Sequence, residues 1–178
     1  MKTVVVYYSR KGSNRYLAEK IVRSLSCDIE EIKPRLNLFL FFLLKINFGI
    51  KPLKHSIKDY DRVILCGPIW MGRLIPPLRS FIARYFTEIN KLVFVTCCGS
   101  TFAKKDEKFG HGFVFKEVES ILQNKCILCQ AFPVGLVLPD EMKEDSDAFM
   151  KTHLNDDNFK GEIQELFDTF IGKVAEIK

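Results

Sequence analysis

Apolar runs and amphipathic stretches alternate along this chain. Val4 to Tyr8 is a short block of β-branched and aromatic residues, and such a block predicts a buried strand. Leu17, Ala18, Ile21, Val22 and Leu25 then recur at helical spacing. Cys27 to Ile32 predicts a second strand stopped near Pro34, and Arg62 to Cys66 a third ended by Gly67-Pro68. Pro76 and Pro77 mark a helix start, because proline is tolerated in the first turn, and Leu78, Phe81, Ile82, Tyr85 and Phe86 form that helix's apolar face. Leu92 to Thr96 predicts a fourth strand. Val114, Phe115, Val118, Ile121 and Leu122 predict a further helix. Cys126 to Val134 predicts a fifth strand, with Leu138 as its outer limit. Phe159, Ile163, Leu166, Phe167, Phe170, Val174 and Ile177 make the stripe of a C-terminal helix.

Strands that are apolar throughout, separated by amphipathic helices, imply a parallel sheet covered on both faces. The fold class is therefore α/β, a doubly wound five-stranded parallel sheet with right-handed crossovers. One domain is expected over residues 1–178. Ligands of such sheets bind beyond the carboxyl ends of the strands, at the topological switch point. Loops 9–14, 67–75 and 96–102 are expected there.

One stretch breaks the alternation. Residues 36–50 contain the run Leu38 to Leu44, apolar all round but far short of the ~18–20 residues a spanning helix needs. A buried helix packed on the sheet accounts for it. A hydrophobic lid, a dimer interface or a membrane-surface contact are the functional alternatives. Arg35, Lys45, Lys51 and Lys54 flank it.

Composition and charge narrow the class. At 47% hydrophobic and 28% charged, the chain is globular rather than disordered. Six cysteines without disulfide-style spacing, and no signal-peptide pattern before the first strand, favour a reducing cytoplasm. The net charge of +5 is uneven: residues 1–54 carry +7, residues 55–138 carry +4 and residues 139–178 carry −6. The basic side chains are scattered, with no nucleic-acid motif, so no nucleic acid is expected as a partner. The basic part suits an anionic ligand. The acidic segment Asp140 to Asp157 reads as a partner site or a solvated loop.

The loops carry the candidate chemistry. Ser9, Arg10, Lys11, Gly12, Ser13 and Asn14 join a strand to a helix start, where free amides and the helix dipole favour an anion. Neither a dinucleotide fingerprint nor a P-loop is present, and one glycine among hydroxyl and amide side chains suits a single terminal phosphate. The plain alternative is a turn with Ser13 or Asn14 as helix N-cap. The second loop, Gly67 to Arg73, holds the chain's single tryptophan, Trp70, placed to stack on a flat ligand or to pack under a neighbouring loop. The third offers Cys97, Cys98, Gly99, Ser100, Thr101 and Phe102.

These three loops, in order, resemble those of flavodoxin-like proteins. The resemblance rests on Tyr7 to Asn14, on Tyr60 to Gly72 with its continuation through Pro76 to Phe81, and on Val93 to Gly99, and it covers most of residues 3–138. It implies strand order 2-1-3-4-5 and noncovalent FMN. Ser9, Arg10, Lys11, Gly12, Ser13 and Asn14 would hold the phosphate, with Lys11 and Asn14 standing where the family usually has Thr. Pro68, Ile69, Trp70, Met71 and Gly72 would form the ring side, with Trp70 stacked and the Met71–Gly72 peptide free to flip its carbonyl toward flavin N5. Cys97, Cys98, Gly99, Ser100 and Phe102 would cover the ring's other edge or face, with Phe102 as a second stacker.

The function so implied is an FMN-binding redox protein that transfers electrons to a redox partner protein or a small acceptor such as a quinone. An NAD(P)H- or quinone-linked FMN reductase is one alternative, and an FMN-free binding module is another. No catalytic side chain and no metal site stand out. The C-x-x-C pair Cys126 and Cys129 lies inside a strand, away from a helix start where thiolates are activated, and reads as core. His55, His111 and His153 are dispersed.

Overall fold

The structure is a computed structural model that describes residues 1–35, 49–143 and 145–177. Of the apolar stretch 36–50, only Gly49 and Ile50 are described, so the buried helix, lid, interface and membrane readings lie outside the described residues. Ile50 is buried and pairs with Pro34 in an isolated antiparallel bridge.

Five parallel strands form the central sheet: β1 (Thr3–Tyr7), β2 (Asp28–Glu31), β3 (Arg62–Cys66), β6 (Lys91–Cys98) and β7 (Cys126–Pro133). Between β3 and β6 in sequence, β4 (Ile69–Trp70) and β5 (Arg73–Leu74) make a separate antiparallel hairpin. The sheet order is β2-β1-β3-β6-β7, which is the expected 2-1-3-4-5 once the hairpin is set aside. The winding reverses between β1 and β3.

Residue type explains the layering. Every residue of β1 and β3 is buried, as a sheet covered on both faces requires. On one face, Val4, Val6, Val63, Leu65, Leu92 and Phe94 meet α2 (Pro76–Tyr85) through Leu78, Phe81 and Ile82, and α3 (His111–Leu122) through Val114, Val118 and Leu122. On the other, Val5, Ile64, Val93 and Val95 meet α1 (Ser13–Leu25) through Leu17, Ala18 and Ile21, and α5 (Glu162–Glu176) through Ile163, Phe167, Phe170 and Val174. A short helix, α4 (Ser146–Lys151), precedes α5. No helix among the described residues is long and apolar enough to cross a membrane.

Several sequence expectations shift. Strand β6 runs two residues further than predicted, because Cys97 and Cys98 stay paired with Phe132 and Pro133 of β7, so the third loop starts at Gly99. Strand β7 stops at Pro133 and the chain turns into a 3-10 helix over Val134–Val137. Ile121 is 37% exposed and does not belong to the apolar face of α3. Phe159 is buried but precedes α5, separated from it by Gly161 with φ 65. The N-cap of α1 is Gly12, with φ 106 and no side-chain cap bond, rather than Ser13 or Asn14.

Strand β7 carries a bulge. Leu92 faces Cys126 but Val93 faces Leu128, so Ile127 is an extra residue on the β7 side. Ile127 and Leu128 consequently pack on the same face of the sheet, while Cys126 and Cys129 both pack on the other.

Candidate functional site

A cavity of about 220 Å³ opens at the carboxyl ends of β1, β3 and β6, where the winding reverses. Ser9, Arg10, Lys11, Ser13 and Asn14 form its floor, Pro68, Ile69 and Trp70 one wall, and Cys97, Cys98 and Gly99 another. The last wall comes from Val134, Phe149, Met150, Thr152 and His153. The three loops singled out from the sequence therefore meet. The fourth wall was not anticipated there; its only sequence signal is the break in charge sign near residue 139, which does not point to a cavity.

Each loop side chain has identifiable work. Asn14, 5% exposed, clamps the end of β6: its Oδ1 accepts from the Cys97 amide at 2.8 Å and its Nδ2 donates to the Cys97 carbonyl at 3.3 Å. Ser13 Oγ accepts from the Leu154 amide at 3.2 Å and lies within hydrogen-bonding reach of the Cys97 thiol. Lys11 Nζ donates to the Met150 carbonyl at 2.9 Å. Ser9 Oγ accepts from the Gly12 amide at 3.2 Å, which shapes the turn and leaves the Ser9 hydroxyl proton to donate elsewhere. The amides of Ser13, Asn14 and Arg15 occupy the first turn of α1, where no intrahelical acceptor precedes them. Thus Ser13, Asn14 and Lys11 hold walls together, while the backbone, Ser9 and Arg10 present the anion-attracting surface.

The electrostatics of the lining are one-signed. Arg10, Lys11 and His153 line the cavity, and among the described residues no carboxylate does. The Arg10 guanidinium sits over the Trp70 ring, 5.4 Å from its centroid. Burial pushes the Cys98 thiol up to about 11 and raises the Cys97 and Cys66 thiols as well, so these three are protonated at neutral pH.

Trp70 is carried on the β4–β5 hairpin, opposite Arg73. Met71 and Gly72 close it with φ 51 and 65, the left-handed pair that a two-residue hairpin loop of type I′ requires. Gly72 is required twice over. A Cβ there would stand 2.6 Å from the Lys108 carbonyl oxygen and 2.9 Å from Phe109 Cα. Met71 and Gly72 lie outside the first cavity. Met71 joins Ile69, Gly99, Ser100, Lys104, Glu107, Lys108, Phe109 and Gly110 around an adjoining cavity of about 580 Å³, and the two cavities share Ile69 and Gly99.

Phe102 lines neither cavity. It is 42% exposed, its ring edge-on to His111 at 5.8 Å. His111 is 2% exposed, with Nδ1 2.8 Å from Ser100 Oγ and 3.7 Å from Cys98 Sγ. Its own amide donates to Ser100 Oγ at 3.2 Å, so Ser100 meets both the backbone and the ring of His111. Burial, then the Lys105 charge, lowers the His111 pKa. His111 thus pins the loop after β6 and was not singled out by sequence. Among the described residues, no three His, Cys, Asp or Glu side chains gather as a metal site.

A parallel α/β sheet of this order, with three loops converging on a cavity at its switch point, defines a doubly wound fold. Residues 48–165 match the flavodoxin domain family, and the chain belongs to it. No curated protein matches the chain. Among solved structures, a flavoprotein from Lactobacillus acidophilus NCFM in complex with FMN is similar at 16% identity and TM-score 0.58, over 73% of this chain and 92% of that one. A flavodoxin from the domain Archaea is similar at 13% identity and TM-score 0.52, over 99% and 100%. An NAD(P)H:quinone oxidoreductase from Methanothermobacter marburgensis is similar at 16% identity and TM-score 0.50, over 87% and 99%. At these identities the likeness is one of fold.

Proposed function

We propose that the cavity at the switch point binds FMN noncovalently and that the protein is a redox protein working through it. One observation carries this reading: a cavity lined by Arg10, Lys11 and His153, with no carboxylate among the described residues, beside a helix N-terminus and with an indole on its wall. That donor set fits a phosphate at one end and a flat ring at the other.

The first-turn amides of α1, Arg10 and the Ser9 hydroxyl would hold the phosphate, Lys11 would add its charge from the wall it braces, and His153 would add a ring nitrogen from the opposite wall. Trp70 would stack on the isoalloxazine, with Cys97, Cys98 and Gly99 along its edge. The Met71–Gly72 peptide, at the tip of the hairpin that carries Trp70, would offer its carbonyl to the ring. When bound, FMN supplies one- and two-electron transfer between a donor and an acceptor. The protein's part is to orient the ring, neutralise the phosphate and keep water from one face. The basic surface suits an acidic redox partner.

The adjoining cavity of about 580 Å³ favours a second reading, an FMN reductase whose acceptor, such as a quinone, or whose NAD(P)H donor enters beside the ring. Its Lys104 and Lys108 suit an anionic group on that substrate.

Titration with FMN tests the main reading. One FMN per chain, quenched fluorescence and absorbance near ~450 nm are expected. Trp70→Ala should weaken binding about fivefold, in line with the ~1 kcal/mol of a stacked aromatic pair. A colourless protein that leaves FMN fluorescence unchanged overturns the proposal. NAD(P)H turnover no faster than with free FMN rejects the reductase reading.

A further inference from the structure

We infer that Cys126 and Cys129 form a vicinal dithiol site that is oxidised to an internal disulfide by low-molecular-weight disulfides. Their Sγ atoms lie 3.6 Å apart. Side chains of a regular strand alternate between faces, so residues three apart point in opposite directions. Their Cα atoms would also be about 10 Å apart, beyond the ~7 Å limit for a disulfide. The bulge at Ile127 removes both obstacles. It makes Cys126 and Cys129 the partners of Leu92 and Phe94, alternate residues that share one face of β6. Neighbours of that kind are separated by about 6.6 Å along a strand, inside the range a disulfide spans.

The pair is also reachable. Strand β7 is an edge of the sheet, and both cysteines are half-buried, whereas Cys66, Cys97 and Cys98 are buried. The two thiols are not equivalent. The hydrogen bond from Cys129 lowers the Cys126 pKa, and the same contact with burial raises that of Cys129. Glu119 opposes ionisation of both, and Lys125 is engaged elsewhere, its Nζ donating to the Phe86 and Ile89 carbonyls. Cys126 is the readier nucleophile and Cys129 the resolving thiol, and attack in the other order yields the same disulfide.

The chemistry balances. The Cys126 thiolate attacks one sulfur of the small disulfide, forming a mixed disulfide and releasing one small thiolate. Cys129 then attacks the Cys126 sulfur, breaks the mixed disulfide and releases the second small thiolate. Two electrons pass from the protein dithiol to the small disulfide, and the two protein thiol protons end on the two small thiols. Excess small thiol drives the exchange in reverse. This site shares no residue with the proposed FMN cavity and does not depend on it.

Two measurements test the inference on the native protein. After incubation with glutathione disulfide, alkylation should show two of the six thiols lost, no glutathione retained, and a peptide linked through Cys126 and Cys129. In Cys129→Ser, glutathione should remain attached at Cys126. Phenylarsine oxide, which bridges close thiol pairs, should bind one per chain, at least tenfold more tightly than to Cys126→Ser or Cys129→Ser. Six unchanged thiols, a glutathione adduct as long-lived in the native chain as in Cys129→Ser, or equal arsenical affinities would overturn the inference.

Discussion

Asn14 shows how one side chain ties a ligand loop to the sheet. It satisfies both the amide and the carbonyl of Cys97 at the last pair of β6 residues. Asn14→Ala leaves that buried amide without an acceptor and should cost about 1–3 kcal/mol, read by chemical denaturation. The sequence marked Asn14 as a loop polar residue suited to a phosphate. Its partner, 83 positions away, is set by the β1–β3–β6 order and has no local signature. His111 was likewise visible only as a dispersed histidine. Because burial depresses its pKa, the neutral ring is the folded form. Its stabilising contribution is fully present above pH ~6.5 and is lost as pH falls below that value through the depressed folded pKa. Stability measured from pH 7.5 to pH 5 should therefore fall, and His111→Asn should flatten that fall.

At the scale of elements, the strands were legible because burial on both faces leaves an uninterrupted apolar run, as in Val4–Tyr7 and Val63–Cys66. The hairpin β4–β5 was not, because two-residue strands have no period to detect. The β7 bulge was also hidden, since nothing in Cys-Ile-Leu-Cys says which residue is extra; the register against β6 decides it. Gly72 links two of these elements. Gly72→Ala places a methyl group against the Lys108–Phe109 backbone and holds alanine in the left-handed region, which alone costs about 1–2 kcal/mol. The segment around Lys104, Lys105 and Lys108 should be displaced, and limited trypsin digestion should cut there several times faster than in the parent chain.

At the scale of the whole molecule, residues 150–160 are fastened to the opposite end of the chain. Lys11 meets the Met150 carbonyl, Ser13 meets the Leu154 amide, and Tyr16 donates to Asp156 at 2.9 Å. Phe159 packs between Tyr16 and Phe167, at 5.5 and 5.6 Å. Phe159→Ala should cost about 3 kcal/mol by denaturation, and it should weaken FMN binding because the Phe149–His153 wall hangs from this anchor. The three loops announced themselves in sequence because each follows a predicted strand. This wall follows none, and its acidic composition reads as a partner site or a solvated loop rather than a cavity lining. Its position has a consequence for biosynthesis. During vectorial translation residues 9–14 leave the ribosome before His153 and Leu154, and the cavity stays unfinished until the later segment follows. The cavity is therefore completed only after all five strands of the sheet have been made.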